Sequence, residues 1–333
     1  MRPGVPVGRG GAGRLRGAYW LRSVSALALL VGALAGCRGG DDGGAAGSTT
    51  GATAGPTIAP PSLAERLCAG GEPSPLGDVT DPALVEVSGL VASADQPGVL
   101  WAVADSGSAA ELVAIGLDGQ VLASVVVEGA ENVDWEDLAL RRAPSGTDHL
   151  VLSDTGDNDG VRPTVALVVV PEPDLAAGAS TVSAERWELT WPDGPRDAEA
   201  VVADPLTGEL FLLSKHLLGG SEVVRVPAGA GPGATTTLEA VGALETGIGE
   251  AVTAADISSD GRAVVLRTYL SVLVFDRPEG TSVAEALDAE PCQAQAPPER
   301  QGESLAVLAD QRGLVTVAEG GDQPLWMVPA APG

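Results

Sequence analysis

Aromatic side chains, histidine, cysteine and positive charge are all scarce in this chain of 333 residues. With two Phe, two Tyr and six Trp, any core must be built from Val, Leu and Ala, which suits many short strands with modest side chains. There are two histidines, His149 and His216, and no His-Glu-x-x-His or Cys-x-x-Cys spacing, so a structural or catalytic zinc site lacks its ligands. His149 stands at a turn beside Asp148 and reads as a solvated loop residue, while His216 follows Lys215 after a strand and reads as structural. No Gly-x-Ser-x-Gly elbow and no phosphate-binding Gly-rich loop with Lys occurs, so serine hydrolase and nucleotide-binding readings have no support. Ser106 and Ser304 have no evident His base. The 19 Lys and Arg face 45 Asp and Glu, a net charge of −26. Nucleic acid, whose binding rests on neutralising phosphates, is thereby excluded as a partner; cations or cationic ligands are the natural counterparts, although negative charge also serves solubility alone.

Arg2, Arg9, Arg14, Arg16 and Arg22 precede an apolar run from Val24 to Gly36, too short to span a bilayer but of the length of a secretory signal. The run ends in Leu34-Ala35-Gly36-Cys37, which resembles the lipobox of bacterial lipoproteins. The resemblance implies cleavage before Cys37, lipidation of its thiol and a membrane-anchored protein on the extracytoplasmic face; an ordinary signal peptide with an incidental Cys is the alternative. Removal of residues 1–36 would take away five Arg and no acid, leaving 14 basic against 45 acidic residues, net −31. Cys68 and Cys292 then remain as a pair in an oxidising compartment and are expected to form a disulfide, two buried free thiols being the alternative. From Arg38 to about Ser62 the composition is Gly, Ala, Ser, Thr, Asp and Pro without hydrophobic periodicity, a flexible tether with a reach of ~25–30 Å. The domain proper is expected over 63–333, as a monomer.

At least a dozen short apolar or alternating runs follow, among them Leu100 to Ala104, Glu111 to Leu117, Thr164 to Val170, Glu209 to Ser214, Glu222 to Val226 and Ala263 to Thr268. Asp118-Gly119, Thr207-Gly208, Asp260-Gly261 and Arg312-Gly313 separate them as turns. A period of two places Trp187, Leu189 and Trp191 on one strand face. Aligned on their turns, the runs repeat from Ser88-Gly89-Leu90, Glu136-Asp137-Leu138, Glu199-Ala200-Val201, Glu250-Ala251-Val252 and Glu303-Ser304-Leu305, at spacings of 48, 63, 51 and 53 residues. Such periods with about four strands per unit predict an all-β propeller of five blades, six also being compatible. In the third unit the strands are Ala198 to Ala203, Glu209 to Ser214, Glu222 to Val226 and Thr235 to Ala243. The fourth unit fits least well, its Glu250 needing an extra residue before the Asp260-Gly261 turn. The fifth lacks an outer strand after Leu325 to Val328, and the unassigned Leu76 to Pro82 would supply it and close the ring. Cys68 then lies beside the closure and Cys292 in the outer part of blade four, so the expected disulfide would clamp it.

Ser88 to Leu90, Asp105 to Gly107, Asn132 to Asp137, Gly156 to Asn158 and Asp197 to Ala200 together resemble the Ser-Gly-Leu, Asp-Ser-Gly, Asn-x-Asp-Trp-Glu-Asp, Gly-Asp-Asn and Asp-Ala-Glu-Ala signatures of an exported bacterial β-propeller family. The resemblance spans roughly 85–329 and implies a kinship in shape with lactonase-like and phytase-like propellers, which use acidic, often calcium-binding, sites at one mouth of the ring.

In such a ring the entries of first strands and exits of second strands gather at one mouth. Glu86, Glu136, Glu199, Glu250 and Glu303 are the entry residues; Asp105, Asp154, Lys215, Arg267 and Glu319 are the exits, with Asp134, Asp137, Asp157, Asn158 and Asp197 nearby. Converging carboxylates raise one another's pKa or attract a cation, with Lys215 and Arg267 offsetting part of the charge. The alternative is that these are strand-end residues, solvated or paired between blades. Asp154, Asp157, Asn158 and Asp159, with Glu136, form the densest set of hard oxygen ligands and the candidate calcium site. It is not an EF-hand: with Asp157, Asp159 and Gly160 at positions 3, 5 and 6, Ala166 falls where a bidentate Glu is required. Trp101 and Trp135 are expected to pack between blades. Three readings remain: a binding module whose mouth takes a cation, a polar small molecule or an envelope protein; a metal-dependent hydrolase of phosphoesters or lactones, with Glu136, Asp154, Glu199 and Lys215 as catalytic candidates; and a purely structural envelope protein.

Overall fold

The computed structural model describes residues 60–143 and 146–333. The signal sequence, the lipobox with Cys37, the tether up to residue 59 and Pro144 and Ser145 of one turn lie outside the described residues.

Five small sheets form five blades of a β-propeller. Blade I comprises Val87–Ala92, Val99–Ala104, Glu111–Gly116 and Val121–Glu128. Blade II comprises Trp135–Arg141, His149–Asp154, Val165–Pro171 and Glu185–Thr190. Blade III is built from Ala198–Ala203, Leu210–Ser214, Ser221–Arg225 and Glu239–Leu244, and blade IV from Val252–Ile257, Ala263–Thr268, Val272–Asp276 and Cys292–Ala294. Blade V has Ala306–Val307, Gly313–Thr316 and Gln323–Pro329 and takes its outer strand, Ser74–Val79, from the other end of the domain. The closing strand lies slightly earlier than Leu76 to Pro82, because Asp81 caps a 3₁₀ turn at Pro82–Leu84.

Inner strands are buried on both faces, and Val87–Ala92, Ala198–Ala203 and Val252–Ile257 are buried throughout. Outer strands alternate, so Trp187, Leu189 and Trp191 do share a face and pack against Val201, Leu212 and Val224 of blade III. Five hydrophobic clusters fill the five blade interfaces, and that between blades V and I, around Leu90, Leu100, Val315 and Leu325, completes the circle. Trp101 and Trp135 are fully buried together between blades I and II.

The 63-residue second unit is long because the chain first runs back along its neighbour. Thr181–Ser183 pairs in parallel with Val121–Glu128 at the rim of blade I before Glu185–Thr190 completes blade II. Thr236–Thr237 likewise pairs with Glu185–Thr190 before the outer strand of blade III. Both additions cover sheet edges otherwise open to pairing. Ser62 and Glu65 form a capping box that starts a helix at Leu63–Cys68, whose Leu63, Ala64 and Leu67 are buried between blades IV and V. Cys68 is disulfide-bonded to Cys292 across a sequence separation of 224, with the Cα atoms 6.0 Å apart. The bridge ties the helix before the closing strand to the outer strand of blade IV.

Candidate functional site: an acidic mouth built on bulges

Each inner strand begins at the mouth with the same irregularity. The pairing registers shift by one residue between Val87 and Gly89, Trp135 and Asp137, Ala198 and Ala200, and Val252 and Ala254. The extra residues are therefore Ser88, Glu136, Glu199 and Thr253. In blade V the register moves by one between the Gly302–Ala318 bridge and the Ala306–Val315 pair, a span that contains Glu303. A bulge frees a side chain from the strand's alternation and re-aims it. Blades I and IV use the position for hydroxyls that tie to the next blade: Ser88 donates to the Trp135 carbonyl at 2.7 Å, and Thr253 to that of Gly302 at 2.7 Å. Blades II and III place carboxylates there.

This register corrects the entry and exit set. Glu250 lies three residues before the bulge of blade IV, where it accepts from the Thr268 and Ser271 hydroxyls and secures a turn. Counted from the paired positions Ala104, Asp154, Ser214 and Thr268, the residues leaving second strands at the mouth are Asp105, Thr155, Lys215 and Tyr269. Asp154 and Arg267 are thus one and two residues too early. Asp154 is fully buried and ion-paired to Arg162 at 2.9 Å and Arg186 at 2.6 Å. Arg267 is buried against Glu299 at 2.9 Å, a carboxyl that burial pushes up to about 7 against the pull of Arg267. Glu86 is exposed and outside the cluster.

The expected ligand run at the end of the hairpin also divides. Asp157 accepts from the backbone N–H groups of Val161 and Arg162 and is the keystone of a turn, while Asn158 and Asp159 face solvent. Asp137 lies deeper in the channel, where its carboxylate accepts from Leu138, Val201 and Ala255 N–H and links blades II, III and IV. Burial raises it well above the ordinary carboxylate range, the three donors pulling the other way. The approach is tight, since a Cβ on Gly89 would stand 2.7 Å from the Asp137 Cα. Asp256 plays the same part toward Val307 N–H at 2.7 Å, and burial pushes it up to about 7.

What remains is an arc of five carboxylates. Oxygens of Asp105, Asp134 and Glu136 lie within 4.8 Å of one another, and so do those of Glu136, Asp197 and Glu199. Glu136 is common to both groups. It is 6% exposed, accepts no hydrogen bond among the described residues, and is driven well above its ordinary pKa by burial and then by Glu199, Asp105, Asp134 and Asp197. Asp134 is pushed up to about 6 by burial and Asp105, and Asp197 is raised chiefly by burial. Room for the arc is made by Gly156, where a Cβ would overlap the Glu136 and Asp134 carboxylates; Arg162 holds that glycine in place through its carbonyl at 2.6 Å.

At the far end of the arc Glu199 is ion-paired with Lys215. Burial pushes Glu199 up to about 8 with Lys215 opposing, and Glu303 up to about 7 with Glu319 adding. Burial disfavours charge on Lys215, yet Glu199 and Tyr269 more than compensate and keep its ammonium protonated; its nitrogen stands 5.5 Å from the Tyr269 ring centre. Lys215 is therefore a fixed cation and not a base. Tyr269, Arg162 and Arg186 were not singled out by the sequence. Scarcity was the available signal: Lys215 is the one lysine of the chain and Tyr269 the one tyrosine after Tyr19.

The fold and this site define a five-bladed β-propeller with an acidic mouth. No family model and no curated protein matches the chain. Among solved structures it is similar to a glucose dehydrogenase-like oxidoreductase from Thermus thermophilus, with 12% identity, a TM-score of 0.44, and coverage of 77% of this chain and 99% of that one. That likeness brings no activity to this chain.

Proposed function

We propose that this protein is a membrane-tethered, extracytoplasmic binding module whose acidic mouth takes a divalent cation, calcium first. The observation that carries the cation is Glu136, buried, accepting no hydrogen bond among the described residues, and shared by both carboxylate groups. All-oxygen ligands of this kind suit hard ions such as calcium, magnesium or manganese. Glu136 would hold the ion with Asp105 and Asp134 on one side and Asp197 and Glu199 on the other. The tether is supported by the Arg-rich start, the apolar run and Leu34-Ala35-Gly36-Cys37. Calorimetric titration of the chain with each ion tests the cation: saturable heat that disappears in Glu136→Gln is expected, and no heat with any of the three rejects it.

A metal-dependent hydrolase of phosphoesters or lactones is the second reading, favoured by one arrangement. Glu199, with a pKa of about 8, stands against the Lys215 ammonium and beside the proposed ion, so a proton acceptor and a fixed positive charge flank one point. The ion would polarise the substrate oxygen. Turnover of either substrate class that requires calcium and is lost in Glu136→Gln would establish an enzyme.

A further inference from the structure

The mouth is acidic at its centre, and its exposed leucine and isoleucine side chains gather on blades III and IV. Leu217 and Leu218, in the loop between the second and third strands of blade III, are 64% and 82% exposed. Ile248, in the connection from blade III to blade IV, is 84% exposed, and Leu270, in the corresponding loop of blade IV, is 63% exposed. These loops are fastened to one another. Gly249 N–H donates to the Leu217 carbonyl at 3.2 Å, Gly220 N–H to the Thr246 hydroxyl at 2.6 Å, and the Glu250 carboxylate accepts from Ser271 at 2.9 Å. Gly219, with φ +95°, leaves room for the carbonyls of Thr246 and Gly247, which a Cβ would meet at 2.5 and 2.7 Å. The four aliphatic side chains therefore stand on a fixed ridge beside Lys215, Tyr269 and the carboxylate arc.

We infer that this ridge and the acidic pit together dock a protein partner that presents an amphipathic helix whose apolar face is bordered by Lys or Arg. This goes beyond the cation reading, because the ridge needs no metal. Leu217 and Leu218 line a cleft of about 380 Å³ together with Ala243, Leu244 and Glu245, so an apolar side chain of the partner can seat there beside the outward-facing Ile248 and Leu270. Charge complementarity selects the border, since the carboxylates of Asp105, Asp134, Glu136, Asp197, Glu303 and Glu319 lie on the same face. An anionic bilayer would be repelled by that face, and a second copy approaching mouth to mouth would set two acidic pits against each other.

The test uses the full chain and a fluorescent 14-residue amphipathic helix of Leu and Lys, with two controls: the same helix carrying Glu for Lys, and a scrambled Leu-Lys peptide of equal charge. Binding of the amphipathic basic helix is expected to weaken about tenfold or more in the Leu218→Ser/Ile248→Ser double variant, and neither control peptide binds the parent chain as well. Calcium calorimetry on the same variant separates this from the cation reading, because its heat should match the parent's whether or not the ridge docks anything. Equal binding by the parent and the variant overturns the inference, as does equal binding by the scrambled peptide. Ridge-dependent partition to phosphatidylcholine vesicles in place of the helix, or a ridge-dependent dimer in sedimentation, overturns it in favour of a membrane or a second copy.

Discussion

Two residues decide whether the mouth is a site. Glu136 supplies a buried carboxylate that accepts no hydrogen bond among the described residues, and Gly156 supplies the space in which it meets Asp134. Gly156→Ala is accordingly expected to push the two carboxylates apart and abolish cation heat in calorimetry while the far-ultraviolet dichroism of the fold is retained. Asp137 tests the opposite role. Asp137→Ala would orphan the N–H groups of Val201 and Ala255 in the channel, and urea unfolding should show a loss of about 3 kcal/mol or more. Both acids were visible in Asn132 to Asp137, but their separate duties were not: one extra residue in a strand sends Glu136 to the mouth and leaves Asp137 in the channel. The rest of that motif becomes intelligible only in three dimensions. Asn132 donates to the carbonyls of Ala104 and Asp105 and accepts from Trp135 N–H, fastening blade II to the exit of blade I.

At the scale of elements, strands and blades were legible because apolar runs bounded by Gly turns have few other uses. Closure by the segment near Leu76 was legible from the missing outer strand of the fifth unit. Register was not. Glu250-Ala251-Val252 imitates Glu199-Ala200-Val201 in letters, yet the strand of blade IV starts at Val252 and its bulge is Thr253. Pairing with the neighbouring strand sets the register, and local sequence carries no record of it. The disulfide acts at this scale as well. A loop of this length stabilises by at most ~5 kcal/mol in the chain-entropy model. In Cys68→Ser/Cys292→Ser, hydrogen exchange is expected to quicken first in Ser74–Val79 and in the Leu63–Cys68 helix. Uniform change across all five blades would show that the bridge does not guard the closure.

For the whole molecule, the ring gathers more carboxylate charge than its mouth and channel can solvate. Burial raises Asp134, Glu136, Asp137, Glu199, Asp256, Glu299 and Glu303, with values of about 6 to 8 where the shift is smaller. The folded chain therefore binds these protons more tightly than the unfolded one. Their contribution to stability is complete below the ordinary carboxylate range near pH 4 and is lost as pH rises through about 6 to 8. The metal-free protein should melt at a lower temperature at pH 8 than at pH 5. A cation bound in the arc would replace protons at the mouth, so calcium should raise the melting temperature more at pH 8 than at pH 5. A melting curve indifferent to pH and calcium would mean that the arc is solvated and idle. The most direct measurement is the anomalous difference density of a crystal soaked in manganese. A peak bonded to Glu136 within the arc of Asp105, Asp134, Asp197 and Glu199 is expected; a mouth without a peak, or a peak confined to the Asp157 to Asp159 turn, would rule out a cation held by the arc.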